Sequence, residues 1–228
     1  PCAAPWPYQE FVTTRLTRLY NYTVNALNPT PGPITNPDWE QQRLPASTLD
    51  LIGDGTVDVM PWEISTVYIN GLTYNPRPVI QSYTAYDAYL DKLNEKKYLS
   101  QDAPDFVIFT PGDIDNRHPL FIEPRTRRTL LTHYEVVEET PGYLLFKRRN
   151  SPLEVSATVT EPQTSQLGEF IPFEYTGGLQ YISADIEYSL LGKLARTFYQ
   201  PPLLRVVVEF EDGETQRFRA VMPLVNDE

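Results

Sequence analysis

Between residues 7 and 27, apolar side chains recur at helical spacing: Phe11, Val12, Leu16, Leu19, Tyr20 and Ala26. Pro7 suits a first helical turn and Pro29 stops the run, so the spacing predicts one amphipathic helix. Residues 28–48 are rich in proline and read as an extended loop. From Gly53 the rhythm changes. Thr56–Met60 is a short β-type run, and Pro61 opens a helical stretch with Ile64, Val67 and Tyr68 on one side and Gly71 as its stop. Pro78–Ser82 is a further short apolar run and reads as a second strand, with Gln81, Ser82 and Tyr83 at its end. Tyr86, Tyr89, Leu90, Leu93 and Tyr98 predict a helix over 84–99. Asp105–Thr110 holds the buried-strand run Phe-Val-Ile-Phe, broken by Pro111-Gly112. Pro124 starts another helix, and Glu135–Glu139 and Tyr143–Lys147 flank Thr140-Pro141-Gly142 as a hairpin.

Strand and helix therefore alternate through residues 53–149 before a final hairpin. That order predicts a Rossmann-like α/β domain: a three-layer parallel sheet, helices on its faces and an antiparallel edge hairpin. Beyond Asn150 the helical spacing largely stops. Glu154–Thr160, Glu169–Tyr175 and Leu179–Tyr188 read as strands, and Leu203–Glu211 and Glu214–Met222 flank the turn Asp212-Gly213. Leu190–Tyr199 is the one short helix expected there. Several strands between turn signals predict a small β-sandwich. The fold class expected is thus α/β followed by all-β. Its parts are an N-terminal helix and Pro-rich arm (1–52), an α/β domain (53–150) and a β-sandwich (151–228), with the turn Asn150-Ser151-Pro152 at the second boundary.

Composition narrows the function. The chain of 228 residues is 41% hydrophobic and 12% aromatic, enough to build a folded core. Its net charge of −11 disfavours duplex nucleic acid and anionic membrane surfaces. The short basic groups Arg125/Arg127/Arg128 and Lys147/Arg148/Arg149 read as solvated edges. A single cysteine, Cys2, excludes an intramolecular disulfide and a cysteine zinc cluster. No window reaches the ~18–20 apolar residues of a spanning helix. The opening Pro-Cys-Ala-Ala-Pro lacks an initiator methionine, so the chain reads as a fragment of a longer protein.

The densest polar group is Pro111-Gly-Asp-Ile-Asp-Asn-Arg-His-Pro119, directly after an expected parallel strand. Ligands bind outside the carboxyl ends of strands in open α/β sheets. Asp113 and Asp115 form a D-x-D, a weak pattern that can hold a divalent metal on a sugar nucleotide, and hard cations want several such oxygens. His118 has the chemistry of a base. As a polar loop, the same stretch pairs Arg117 with an aspartate. A second group, Asn75–Tyr86, supplies Gln81 and Tyr83. Aromatic faces with planar polar groups suit carbohydrate, and packing of Tyr83, Tyr86 and Tyr89 is the plainer reading. Gly53-Asp-Gly-Thr-Val-Asp58 lacks the endings of a phosphate loop or an EF-hand and reads as a turn before a strand. The histidines number two, His118 and His133, and no G-x-S-x-G occurs, so nucleophilic catalysis has little support. Tyr181, Tyr188, Phe198 and Tyr199 have the chemistry to line a sugar-binding face, and read first as core of the β-region.

At Val57-Asp-Val, at Pro76-Arg-Pro-Val-Ile-Gln-Ser-Tyr-Thr-Ala-Tyr86 and at Ile114-Asp-Asn-Arg-His-Pro119, the chain resembles the extracytoplasmic region of uncharacterised bacterial multi-spanning membrane proteins. Those are similar to glycosyltransferases that use polyprenyl-phosphate sugars. The likeness covers residues 53–149 and, more weakly, Tyr181–Met222. In that family the catalytic acid lies in a loop between early membrane helices, a segment this sequence does not contain, so no catalytic residue carries over. The resemblance implies a periplasmic or cell-surface location and an accessory role beside the transmembrane portion of the parent chain. The expectation is a non-catalytic binding module without cofactor or bound metal, whose ligand face comprises Gln81, Tyr83, Asp113, Asp115, Arg117 and His118. Its alternatives are metal-dependent glycosyl transfer or hydrolysis on Asp113/Asp115, and a purely structural packing domain.

Overall fold

A computed structural model describes residues 7–27, 37–112, 114, 116–156, 158, 163–172, 183–199 and 204–221. The chain divides into two compact units, Pro1–Gln41 and Gln42–Glu228. The first holds helix α1 (Pro7–Leu27), which begins and ends where its prolines predict. A 3-10 helix follows at Pro37–Gln42.

The second unit is built on a mixed five-stranded sheet. In chain order its elements are α2 (Ala46–Ile52), β1 (Thr56–Met60), α3 (Ser65–Ile69), β2 (Thr73–Tyr74), α4 (Ala88–Leu99), β3 (Phe106–Phe109), α5 (Pro124–His133), β4 (Tyr134–Glu139) and β5 (Leu144–Arg148). The strands lie in the order β2-β1-β3-β5-β4. β1 runs parallel to β2 and β3, with Val57 opposite Phe106 and Met60 opposite Phe109. β5 is antiparallel to β3 and to β4.

Period-two alternation sorts the two faces of the sheet. Val57, Val59, Phe106, Ile108 and Leu145 point to one side, where Ile52 of α2 and Val67 of α3 cover them. Met60, Val107 and Phe146 point to the other, against Tyr98 of α4, Leu130 of α5 and Tyr134. Asp58 belongs by alternation to this second face and is fully buried there.

Three expectations change. The second strand is Thr73–Tyr74 rather than Pro78–Ser82, where Ser82–Thr84 forms a 3-10 turn. Pro76 and Pro78 lack the N–H groups that a ladder needs, and the Ile80 carbonyl is engaged by a side chain. The helix after Pro61 starts only at Ser65, since Pro61 is a buried bend residue whose carbonyl accepts from Ser82 N–H. Beyond 150, the regular elements among the described residues are α6 (Leu190–Phe198) and an antiparallel hairpin of β6 (Arg205–Glu209) and β7 (Thr215–Arg219). Residues 154–156, 158, 169–172 and 183–188 carry no regular structure, and the remainder of the strands expected there lies outside the described residues.

The hairpin is tied to the loop after β3. Arg219 N–H donates to Asn116 O at 2.8 Å. The Phe218 ring stands edge-on to His118 at 4.8 Å and to Phe121 at 5.9 Å.

Candidate functional site

The carboxyl ends of the parallel strands β1 and β3 lie side by side, and the chain continues from them as Pro61-Trp62 and Thr110-Pro111-Gly112. Thr110 N–H donates to Met60 O at 2.8 Å, and Ser82 N–H donates to Pro61 O at 2.9 Å. These bonds bring the 82–84 turn to the same edge. Trp62 stands there half-buried, edge-on to Tyr83 at 5.9 Å between ring centroids. Gly112 lies under it, since a Cβ on Gly112 would be 3.7 Å from the indole.

Beneath this edge sits a buried ionic network centred on Arg77, which is 1% exposed. Its guanidinium donates to Glu123 Oε1 at 3.3 Å, to Asp58 Oδ2 at 3.0 Å and to Val59 O at 2.8 Å. It also donates to Pro61 O at 3.0 Å, Ile80 O at 3.0 Å and Ser82 Oγ at 2.9 Å. Burial works against this cation, but Glu123 and Asp58 outweigh it and hold its pKa above the ordinary arginine value. Tyr98 donates its hydroxyl to Asp58 Oδ2 at 2.8 Å. Burial, with the Asp58 charge added, lifts the Tyr98 pKa well above the usual phenol.

Glu123 precedes α5 in the left-handed region, at φ 53°. Its Oε1 accepts from Arg77 and from the Asn94 amide, and Asn94 in turn exchanges hydrogen bonds with both backbone groups of Val79. Anchoring the side chain in this way offsets the roughly 1–3 kcal/mol of a non-glycine residue in that region. Asp91 of α4 caps α5 from the side: its carboxylate accepts from Arg125 N–H at 2.9 Å, Thr126 N–H at 3.1 Å and Thr126 Oγ1 at 2.7 Å. Burial nevertheless pushes the Asp91 pKa up, against those bonds.

Arg127 is not on a solvated edge. It is 3% exposed, with its guanidinium 4.5 Å from the centroid of the Phe109 ring. Nε donates to Ile122 O at 3.3 Å, while Nη1, Nη2 and the nearby network's Glu123 Oε2 find no hydrogen-bond partner among the described residues. Burial pulls the Arg127 pKa down to about 10.

Of the residues named from sequence, Gln81 and Tyr83 bracket Ser82 at this edge, and the Gln81 carbonyl accepts from Thr84 N–H and Oγ1. Asp113 and Asp115 lie outside the described residues. His118 belongs to a separate aromatic group with Phe121 and Phe218, and its Nδ1 accepts from Leu120 N–H at 3.2 Å. That bond puts the ring proton of a neutral His118 on Nε2. Arg117 is half-buried beside it, its N–H donating to Ile114 O. Trp62, the network around Arg77 and Phe218 were not anticipated. The sequence carries one signal of it: an aspartate inside the strand run Val57-Asp58-Val59 demands a buried partner.

Among the described residues no three His, Cys, Asp or Glu side chains are grouped to hold a metal, and no helix is long and apolar enough to cross a membrane. No family model, curated protein or solved structure matches the chain.

Proposed function

We propose that this chain is a non-catalytic binding module from the extracytoplasmic part of a larger membrane protein. The ligand face is the carboxyl edge of β1 and β3, and the ligand class is carbohydrate, free or lipid-linked. The fold that accompanies this reading is a Rossmann-like α/β layer with the β6–β7 hairpin after it, next to the transmembrane portion of the parent chain.

The observation that carries the reading is the use to which Arg77 is put. One guanidinium engages six oxygens from β1, from Pro61, from the 80–82 segment and from Glu123. The segments that present Trp62 and Tyr83 are therefore fixed from below, as a preorganised surface requires. Arg77, Asp58, Glu123 and Tyr98 are bonded to one another and stiffen this edge. Half-buried aromatic rings, with Gln81 two residues before Tyr83, match what a sugar ring offers, apolar C–H faces with hydroxyls around them.

The test is a glycan array followed by titration of tryptophan fluorescence with any sugar retained. Binding should weaken about ten-fold or more in Trp62→Ala and in Tyr83→Ala, as expected when an aromatic anchor is removed. Far-UV circular dichroism should be unchanged in both variants. An array with no retained sugar, or affinity indifferent to both substitutions, overturns the assignment.

A further inference from the structure

Helix α6 separates its residues cleanly. At about 100° per residue, Leu190, Leu191, Leu194, Ala195 and Phe198 fall within an arc of about 140°, with Gly192, Lys193 and Thr197 on the remainder. Ser189 caps the helix, its hydroxyl accepting from Gly192 N–H at 3.2 Å. The apolar arc is uncovered: Leu190 is 86% exposed, Leu191 79%, Leu194 61% and Phe198 75%. Tyr199, directly after the helix, is 76% exposed. The sequence had assigned Phe198 and Tyr199 to a core, and they lie in none. Isolated surface leucines need no explanation, but a contiguous leucine and phenylalanine stripe on one helix marks an interaction surface.

Charge selects the partner. The chain as a whole carries −11, yet from Tyr188 to Val208 it has no acidic residue, while Lys193, Arg196 and Arg205 fall in that stretch. Whole-chain charge argues against an anionic surface, and here the sign is reversed locally. A protein partner able to cover leucine and phenylalanine has no need of an acid-free stretch around them. An anionic lipid surface uses both features, since an apolar face enters the acyl boundary while cations meet the headgroups.

We propose that α6 is an interfacial helix that lies in the headgroup layer of an anionic phospholipid bilayer. Leu190, Leu191, Leu194 and Phe198 insert, and Lys193 stays at headgroup level. The surface is on a different element from Trp62 and Tyr83, so it stands or falls independently of carbohydrate binding.

Flotation of the full chain with two vesicle compositions tests the proposal. Phosphatidylcholine alone should recover little protein, and phosphatidylcholine mixed with phosphatidylglycerol should recover most of it, less as salt is raised. The double variant Leu191→Glu/Leu194→Glu should bind the mixed vesicles about ten-fold more weakly or worse, and Lys193→Glu should weaken binding and flatten its salt dependence. Both variants change exposed side chains and should keep the parent's thermal midpoint. Failure to float with the mixed vesicles sinks the idea, as does flotation unaffected by the double variant. So does a dimer in sedimentation velocity that the double variant converts to monomer, because the stripe then belongs to a second copy.

Discussion

Arg77 sets how the second unit answers to single substitutions. Replacing it with methionine leaves Asp58 and Glu123 buried without their shared cation, a change that costs about 3–5 kcal/mol. The urea midpoint of Arg77→Met should fall accordingly. Lysine should not rescue it, since one ammonium cannot reach six oxygens spread over a planar fork. Alkali tests the same region. Burial, with the Asp58 charge behind it, raises the Tyr98 pKa well above the usual value, and burial likewise raises Tyr134 and lifts Tyr74 to about 12. The folded chain thus keeps phenol protons that the unfolded chain releases above roughly pH 10, so stability is full below that pH and declines above it. Arg127 acts the other way: its folded pKa of about 10 lies below the ordinary arginine value, so its penalty lessens as pH rises past that point. The raised phenols, Tyr143 among them, outnumber the one lowered guanidinium and give a net fall, seen as a dropping urea midpoint from about pH 10 upward. Tyr98→Phe should be less stable by about 1–3 kcal/mol at neutral pH, having stripped a donor from Asp58, and its alkaline decline should be shallower.

Among the elements, the two helices packed on the Asp58 face start in different ways. α4 is capped by its own Asp87, whose carboxylate accepts from Leu90 N–H at 2.8 Å. α5 borrows Asp91 from its neighbour, and the same carboxylate joins the two helices. Asp87→Ala should cost about 1 kcal/mol by urea denaturation, a single cap lost. Asp91→Ala should cost more, about 2–3 kcal/mol, because two backbone donors and the Thr126 hydroxyl lose their acceptor in a buried place. The turn into β1 is equally constrained. A Cβ on Gly55 would lie 2.8 Å from the Phe106 ring and 2.9 Å from Ile52 O, so Gly55→Ala should destabilise by about 1–3 kcal/mol. Where a local rule governed an element, the sequence revealed it: prolines bounded α1 and opened α5, and Phe-Val-Ile-Phe marked β3. The two-residue β2 carries too short a pattern to be seen, and Pro78–Ser82 resembles a strand by its apolar run alone: Pro78 and Ile80 are exposed, and the segment is held by the grip of Arg77 on Ile80 O and Ser82 Oγ. The candidate site was half legible. Tyr83 and His118 stood out by residue type, whereas Trp62 and Phe218 come to them from distant segments that no local spacing encodes.

For the second unit as a whole, the contact between the β6–β7 hairpin and the 116–121 loop is the longest link in sequence among the described residues. Removing the Phe218 ring should leave the urea midpoint of the sheet nearly unchanged while hydrogen exchange at Leu120 and Phe121 accelerates, because the loop then loses its aromatic cover. Equal acceleration in β1 and β3 would instead mean that hairpin and sheet open together.

That link also orders events during synthesis. Once Arg148 has left the ribosome every strand of the five-stranded sheet exists, but Phe218 is still unmade. At ~5–20 residues per second the nascent sheet waits several seconds with His118 and Phe121 uncovered. Translation speed between the codons for Arg148 and Phe218 therefore governs how long a sticky aromatic pair is offered to chaperones, and slowing codons there should raise aggregation without altering the finished protein.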